Sequence, residues 1–238
     1  MIFIGTAGWS IPKALGVHFP PAGSALQRYA SVLNCTEINS TFYRPHRPDT
    51  FKRWAESVPG HFRFSVKAPK TITHEKRLVD ADEALDAFVS SITPLGQKLG
   101  PILFQLPPSL IFDRLQADRF FTTVRERWQG AVVLEPRHKS WAAAEAEELV
   151  MRHSITWVFA DPPKVERTIE PNSDGLYLRL HGAPKVYYSS YGKDDLHRYR
   201  LAMDRSQAGE SWCIFDNTAS GAALSNALDL QSLEPMVR

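Results

Sequence analysis

Acids, cations and a histidine recur where apolar segments of this chain end. The stretch "VVLEPRHKSW", residues 132–141, starts like a buried strand and then presents Glu135, Arg137 and His138. Taking charge out of water is costly unless the charge is paired or used. The pattern returns with Glu37 and Asn39 in "TEINSTF", with Arg63, Ser65 and Lys67 in "HFRFSVKAP", and with Gln105 in "LFQLP". It returns again with Asp161 after "WVFA", with Tyr177, Arg179 and His181 in "LYLRLHG", and with Asp216 and Asn217 in "CIFDN". Lys67, Arg137 and Arg179 suit a phosphate or carboxylate, the planar guanidiniums through paired contacts. Glu37 or Glu135 as base and His181 as acid suit proton transfer beside that anion, with Asp216 grouped among the candidate catalytic residues. Asn39, Tyr43, Gln105, His138 and Asn217 join the cations as candidate binding residues.

Two other uses of these residues compete. The acids Glu37, Glu135, Asp161 and Asp216 can neutralise Arg63, Lys67, Arg137 and Arg179 in a purely structural ion-pair network. So many converging charges favour a polar ligand instead, since apolar packing is the easier stabiliser. The same acids with His181 also offer a carboxylate and imidazole set for Mg2+, Mn2+ or Zn2+. No HExxH, HxH or DxD spacing exists among them and the neighbouring cations oppose a metal, so a divalent ion is not favoured and no cofactor is assigned. Ser10, Ser40 and Ser65 are possible nucleophiles, but no GxSxG elbow accompanies them.

Short apolar, β-branched or aromatic segments must position these groups. They run over Ile2–Ala7, Cys35–Phe42, Phe62–Ala68, Pro101–Leu106, Ala131–Glu135, Ile155–Ala160, Gly175–Leu180 and Ser211–Phe215. Helical stripes alternate with them: Leu26, Tyr29, Ala30 and Leu33 after a possible Ser24 cap, and Phe51, Trp54, Ala55 and Val58 after a possible Asp49 cap. Others follow at Leu85 to Ile92, Ala117 to Trp128, Trp141 to Met151, Leu196 to Met203, and Ala222 to Leu230 after Ser220. Alternating strands and helices predict a single-domain (β/α)8 TIM barrel over residues 1–238. The Pro-rich stretch at 161–174 predicts an irregular or missing sixth helix. An open doubly wound sheet is less favoured, because "GTAGWS" lacks the GxGxxG spacing.

In a barrel one strand parity faces the helices and the other faces the axis. Phe62, Phe64 and Val66 then face outward, leaving Arg63, Ser65 and Lys67 inward. Leu176, Leu178 and Leu180 likewise leave Tyr177, Arg179 and His181 inward. Barrel sites sit at the carboxyl ends of the strands, and the loops after strands seven and eight often hold phosphate. In "DNTASGAAL" the free N–H groups around Ser220 and Gly221 suit an anion, unless Ser220 serves only as an N-cap.

The loops predicted for the same rim are basic and aromatic, as in "YRPHRPD", "KTITHEKR" and "APKVYYSSYGK". Phosphates and stacked bases of a nucleic acid suit such a set. The totals set limits: 28 Lys and Arg against 26 Asp and Glu give +2, so no global field recruits nucleic acid or anionic membrane. Cys35 and Cys213 form no CxxC or disulfide framework and suit a reducing compartment. With no signal-peptide pattern at "MIFIGTAGWS" and no long apolar run, the expected location is the cytoplasm, with no membrane partner.

The ordered motifs "IGTAGWS", "TEINSTFYR", "RWAESVPGHFRFSVKAPKTITHEKRL", "LGPILFQLPPS", "EPRHKSW", "LYLRLHG", "YSSYG" and "FDNTASGAALSNA" together resemble the YecE-like family, a domain-of-unknown-function family of TIM barrels. The resemblance spans essentially the whole chain and implies the barrel. It implies no particular reaction. Its motif positions include Trp9, Glu37, Asn39, Ser40, Tyr43, Lys67, Gln105, Glu135, Arg137, His138, Arg179, His181, Asp216 and Asn217. The family's aromatic continuation after "GWS" is replaced here by "IPKAL". The expectation is an enzyme of isomerase, hydrolase or lyase type acting on a small phosphorylated or anionic metabolite. The alternatives are a nucleic-acid-binding or nuclease-like protein and a non-catalytic binding module.

Overall fold

A computed structural model describes residues 1–165, 175–206 and 209–234. Eight parallel strands close on themselves in chain order: β1 (Ile2–Ala7), β2 (Cys35–Ile38), β3 (Arg63–Lys67), β4 (Leu99–Gln105), β5 (Val132–Glu135), β6 (Thr156–Asp161), β7 (Leu176–Leu180) and β8 (Ser211–Phe215). Around them lie α1 (Ala25–Ala30), α2 (Pro48–Glu56), α3 (Asp82–Ile92), α4 (Arg114–Arg127), α5 (Ala144–Arg152), α6 (Lys193–Arg205) and α7 (Ala222–Ser232). The chain is a TIM barrel. Residues after β6 as far as Val165 form no helix, and the rest of the predicted irregular connection, 166–174, lies outside the described residues. Among the described residues no helix is long and apolar enough to cross a membrane.

Local chemistry sets the helix starts. Ser24 caps α1, as the sequence predicts, and the Gln27 side chain completes a reciprocal capping box with it. The Asp49 cap is corrected: Arg47 is the N-cap of α2, because Pro48 takes the first helical position, where a missing N–H costs nothing. Strand β2 stops at Ile38 rather than Phe42, since Ser40–Phe42 wind into a short 3-10 turn.

Both faces of the strands are buried, as parallel strands require. The outward parity, including Ile38, Phe64, Val66, Ile102, Phe104, Leu134, Leu178, Leu180 and Phe215, packs against the helices. Inward, the lower half of the barrel is apolar: Phe3, Cys35, Leu103, Val133, Val158, Tyr177, Trp212 and Ile214. The rings of Phe3 and Trp212 stack with centroids 4.4 Å apart, and Tyr177 stacks beyond Trp212 at 6.2 Å. These residues form a floor. Strand β1 comes so close to β2 that a Cβ on Gly5 would lie 2.1 Å from the carbonyl oxygen of Cys35, so closure of the barrel here needs glycine.

Candidate functional site

Above that floor the inward positions turn polar. Register pairs Glu37 with Ser65, Gln105 with Glu135, and Lys67 with Leu103. Arg179 lies opposite Ile214 on β8, so its side chain rises directly above the apolar plug. Glu37, Lys67, Gln105, Glu135, Arg179, His181 and Asp216 are all buried at this level. The convergence predicted from strand parity is therefore present for these seven.

Arg179 organises the acids. Its Nε donates to Glu37 Oε2 at 3.0 Å, its Nη2 reaches Glu37 Oε1 at 2.8 Å and Asp216 Oδ2 at 3.0 Å, and its Nη1 reaches Glu135 Oε2 at 3.1 Å. Tyr177 supports Glu37 from below, donating its hydroxyl at 3.1 Å. Glu135 Oε1 also accepts from Gln105 Nε2 at 3.0 Å and from Arg137 at 2.9 Å. The guanidinium of Arg179 thus occupies the space between three carboxyl groups that the sequence offered as metal ligands. Among the described residues no group of three His, Cys, Asp or Glu is placed to hold a metal ion.

His181 is gripped on both sides. Its Nδ1 lies 3.0 Å from Asp216 Oδ2 and its Nε2 3.1 Å from Glu135 Oε1. Ionised carboxylates only accept, so this geometry favours a proton on each ring nitrogen. Burial opposes the charged imidazole, but Glu135 and the bond to Asp216 outweigh it and raise the pKa. Burial likewise works against ionised Glu135, yet Arg179, His181 and Arg137 hold it well below the usual carboxylate range. Asp216 is held low in the same way, chiefly by Arg179 against the cost of burial.

Lys67 stands apart. It is 5% exposed, and its Nζ makes no hydrogen bond or ion pair among the described residues. What it touches is a ring: Nζ sits 4.1 Å from the centroid of Phe42. Burial and the Arg179 charge push its pKa down to about 8, against the pull of Glu37, Glu135 and Asp216.

The rim above carries Arg137, Tyr187 and His74. Arg137 is 19% exposed at its side chain. Tyr187 adopts a left-handed φ of 69°, and its ring stands edge-on to His181 with centroids 5.8 Å apart. His74, on a single π-helical turn over Thr71–Glu75, packs against Phe42 at 4.9 Å. Burial, Lys67 and Arg137 together lower the pKa of His74. Asn39 is on the rim as expected, and its Oδ1 is buried with no hydrogen-bond partner among the described residues. His74 and Tyr187 lie in the basic, aromatic loops, and nothing in their sequence positions marks them for the site; their approach to Lys67 and His181 depends on how those loops fold back.

The inward placing of Arg63 and Asp161 and the capping of α7 by Ser220 are corrected, while His138, Asn217 and Tyr43 are candidates whose surroundings are now defined. Arg63 is not in the cluster: it begins β3 at the level of the floor, opposite Cys35, and its guanidinium donates to Gly60 and Phe62 carbonyls. Asp161 is out of phase, paired in register with Leu180 while Ala160 pairs with Arg179, and its side chain bonds toward Tyr191 and Tyr199 on the outside. Ser220 is not the cap of α7. Its hydroxyl donates to the Tyr188 carbonyl at 2.6 Å, and Gly221, at φ 80°, takes the cap position. His138 serves as an N-cap, its Nδ1 accepting from Ser140 N at 3.2 Å. Asn217 is buried and ties the loops after β7 and β8 together, donating to Ser189 O and Asn226 Oδ1, both at 2.9 Å. Tyr43 is 70% exposed beside the mouth.

Fold and site together define a TIM-barrel protein with an acid-and-cation cluster at the carboxyl ends of its strands. The chain belongs to the family described as "Protein of unknown function DUF72", whose model matches residues 3–235. It is 37% identical over 194 residues to the UPF0759 protein YecE of Escherichia coli, covering 78% of this chain and 68% of that protein. It is 25% identical to the UPF0759 protein YunF of Bacillus subtilis, over 98% of this chain and 94% of that one. Among solved structures, a DUF72 family protein of Thermotoga maritima superposes with a TM-score of 0.82 at 27% identity, covering 97% of this chain and 98% of its own. A DUF72 family protein from Enterococcus faecalis, at 22% identity and a TM-score of 0.81 over 97% of this chain and 94% of that one, has the same fold.

Proposed function

We propose that this protein is an enzyme that binds a small phosphorylated or otherwise anionic metabolite in the barrel mouth and moves a proton on it. The observation that carries this reading is Lys67, a largely buried cation whose Nζ has no counter-ion among the described residues, beside a network in which Arg179 is paired with three acids. A buried charge without a partner is costly, and a bound anion supplies the missing partner. Arg137, partly open at the rim, adds a planar second contact. The donors of Arg179 are committed to acids, so its part is to hold Glu37, Glu135 and Asp216 in place rather than to grip substrate. His181, protonated between two carboxylates, is the proton donor; Glu135 or Glu37 is the acceptor. Isomerisation, hydrolysis and lyase chemistry all use such a pair.

Calorimetric titration with inorganic phosphate and small sugar phosphates tests the reading. At least tenfold weaker binding is expected in a Lys67→Ala plus Arg137→Ala variant. Unchanged affinity in that variant, or no binding by the unaltered protein at millimolar ligand, rejects it.

A second reading has its own support. Tyr43 and Tyr188 are 70% and 50% exposed on the rim, and Lys185 Nζ lies 4.3 Å over the Tyr188 ring. Exposed rings beside cations suit single-stranded nucleic acid. That reading requires retention of DNA or RNA at low ionic strength that weakens steeply with salt. Failure to retain either removes it.

A further inference from the structure

We propose that Lys67 forms an imine with the substrate, which is therefore an aldehyde or ketone carrying a phosphate or carboxylate. The substrate class rests on reading the mouth as an anion site; the reactivity of the amine rests on the geometry around it.

Three acids surround Lys67 closely enough to act on its charge, namely Glu37, Glu135 and Asp216. None of them is within ion-pair distance of it among the described residues. Each is taken instead by Arg179, and two of them also by His181. A lysine kept only for its charge would gain most by pairing with one of these groups. The network instead excludes it and leaves its Nζ over the face of Phe42 at the carboxyl end of β3. An amine desolvated beside another cation is the usual arrangement of a Schiff-base lysine. With a pKa of about 8, about a tenth of the molecules hold a neutral, nucleophilic amine at pH 7.

The step balances without an outside reagent. The neutral Nζ adds to the carbonyl carbon, the C=O π pair moves to oxygen, and oxygen takes a proton while the nitrogen loses one, giving a carbinolamine. The C–O bond then breaks, and oxygen leaves as water with a second proton supplied by the protonated His181. The nitrogen lone pair forms the C=N bond, giving the iminium, which draws electrons from a bond on the neighbouring carbon. His181 recovers its proton from the mouth. Lys67 Nζ meets the anion as an ammonium only before the carbonyl is attacked; once the nitrogen is in the imine, Arg137 and the rim hold the substrate's anionic end.

The test is reductive trapping on the full-length protein with glycolaldehyde phosphate, with and without sodium cyanoborohydride, followed by peptide mapping. The expected result is a reductant-dependent adduct at Lys67, at least tenfold above exposed lysines such as Lys13, Lys52 and Lys193, and suppressed by inorganic phosphate. Its formation rate should rise through pH 8. A folded Lys67→Arg variant, which keeps the charge, should lose the adduct. Phosphate binding with no adduct at Lys67, or labelling spread evenly over surface lysines, overturns the imine and leaves the anion site standing. A Lys67 adduct that saturating phosphate does not suppress supports the imine and removes the anion reading. Neither adduct nor phosphate binding overturns both.

Discussion

Arg179 and Glu37 meet inside the barrel as two wholly buried side chains, with Nη2 2.8 Å from Oε1 and Nε 3.0 Å from Oε2. Both guanidinium nitrogens on that edge face both carboxyl oxygens, the geometry that gives arginine pairs their strength and direction. Because Asp216 and Glu135 draw on the same guanidinium, removing it takes a cation from three acids at once and leaves Glu37, without a second cation within ion-pair distance among the described residues, to the Tyr177 hydroxyl. An Arg179→Met variant is expected to lose roughly 3–5 kcal/mol of stability, the cost of breaking a buried pair from one side. Urea unfolding at pH 7 measures this. A loss under about 1 kcal/mol would show that the cluster does not depend on Arg179.

Lys67 makes the opposite prediction. Its folded pKa lies below its unfolded value, so below pH 8 the fold carries the cost of burying a charged amine. That cost fades as pH rises from about 8 to the unfolded value near 10.4. Lys67→Met is therefore expected to be more stable than the unaltered protein at pH 7, by about 3 kcal/mol. The difference should shrink toward zero at pH 10. A variant less stable at pH 7 would mean that the ammonium is paired in solution.

His181 behaves in the reverse sense. Its folded pKa is raised, so the stability it contributes is fully present below the unfolded value of about 6.5 and is lost as pH rises through the folded value. A His181→Asn variant should be destabilised more at pH 5.5 than at pH 9. Thermal unfolding across that range checks the sign, and an equal deficit at both ends would contradict the double grip of Asp216 and Glu135.

Backbone geometry at the mouth gives a prediction free of charge effects. Gly182, at φ 92°, follows His181, and a Cβ there would lie 2.7 Å from the Ser189 carbonyl oxygen. Gly182→Ala is expected to cost roughly 1–3 kcal/mol through strain and overpacking. Gly60→Ala is its control, since nothing lies within 4 Å of a Cβ at Gly60 and its φ is not positive; that change should stay within about 0.5 kcal/mol. Equal effects at the two positions would refute the account of the loop.

Much of this was legible in the sequence because barrel strands translate alternation directly into inward and outward faces. Glu37, Lys67, Gln105, Glu135 and Arg179 followed from parity, and His181 and Asp216 continue the same alternation just beyond their strands. The errors have physical reasons. Parity gives a face but not a height, so it cannot separate Arg63, at the start of its strand, from a cluster that begins two residues higher. Asp161 follows an apolar run and so resembles the other strand-end acids, whereas the inward positions of β6 are Val158 and Ala160. The isolation of Lys67 could not be read from sequence at all. Pairing is a competition in space, and Arg179 wins each contest for the acids because its planar fork addresses several of them together.

The stacked rings of Phe3, Trp212 and Tyr177 have a further consequence. They close the lower end of the barrel, so any molecule that reaches Lys67 has to come and go on the side of Arg137 and Tyr187. Arrival and departure share one doorway, and occupancy by one molecule bars the next.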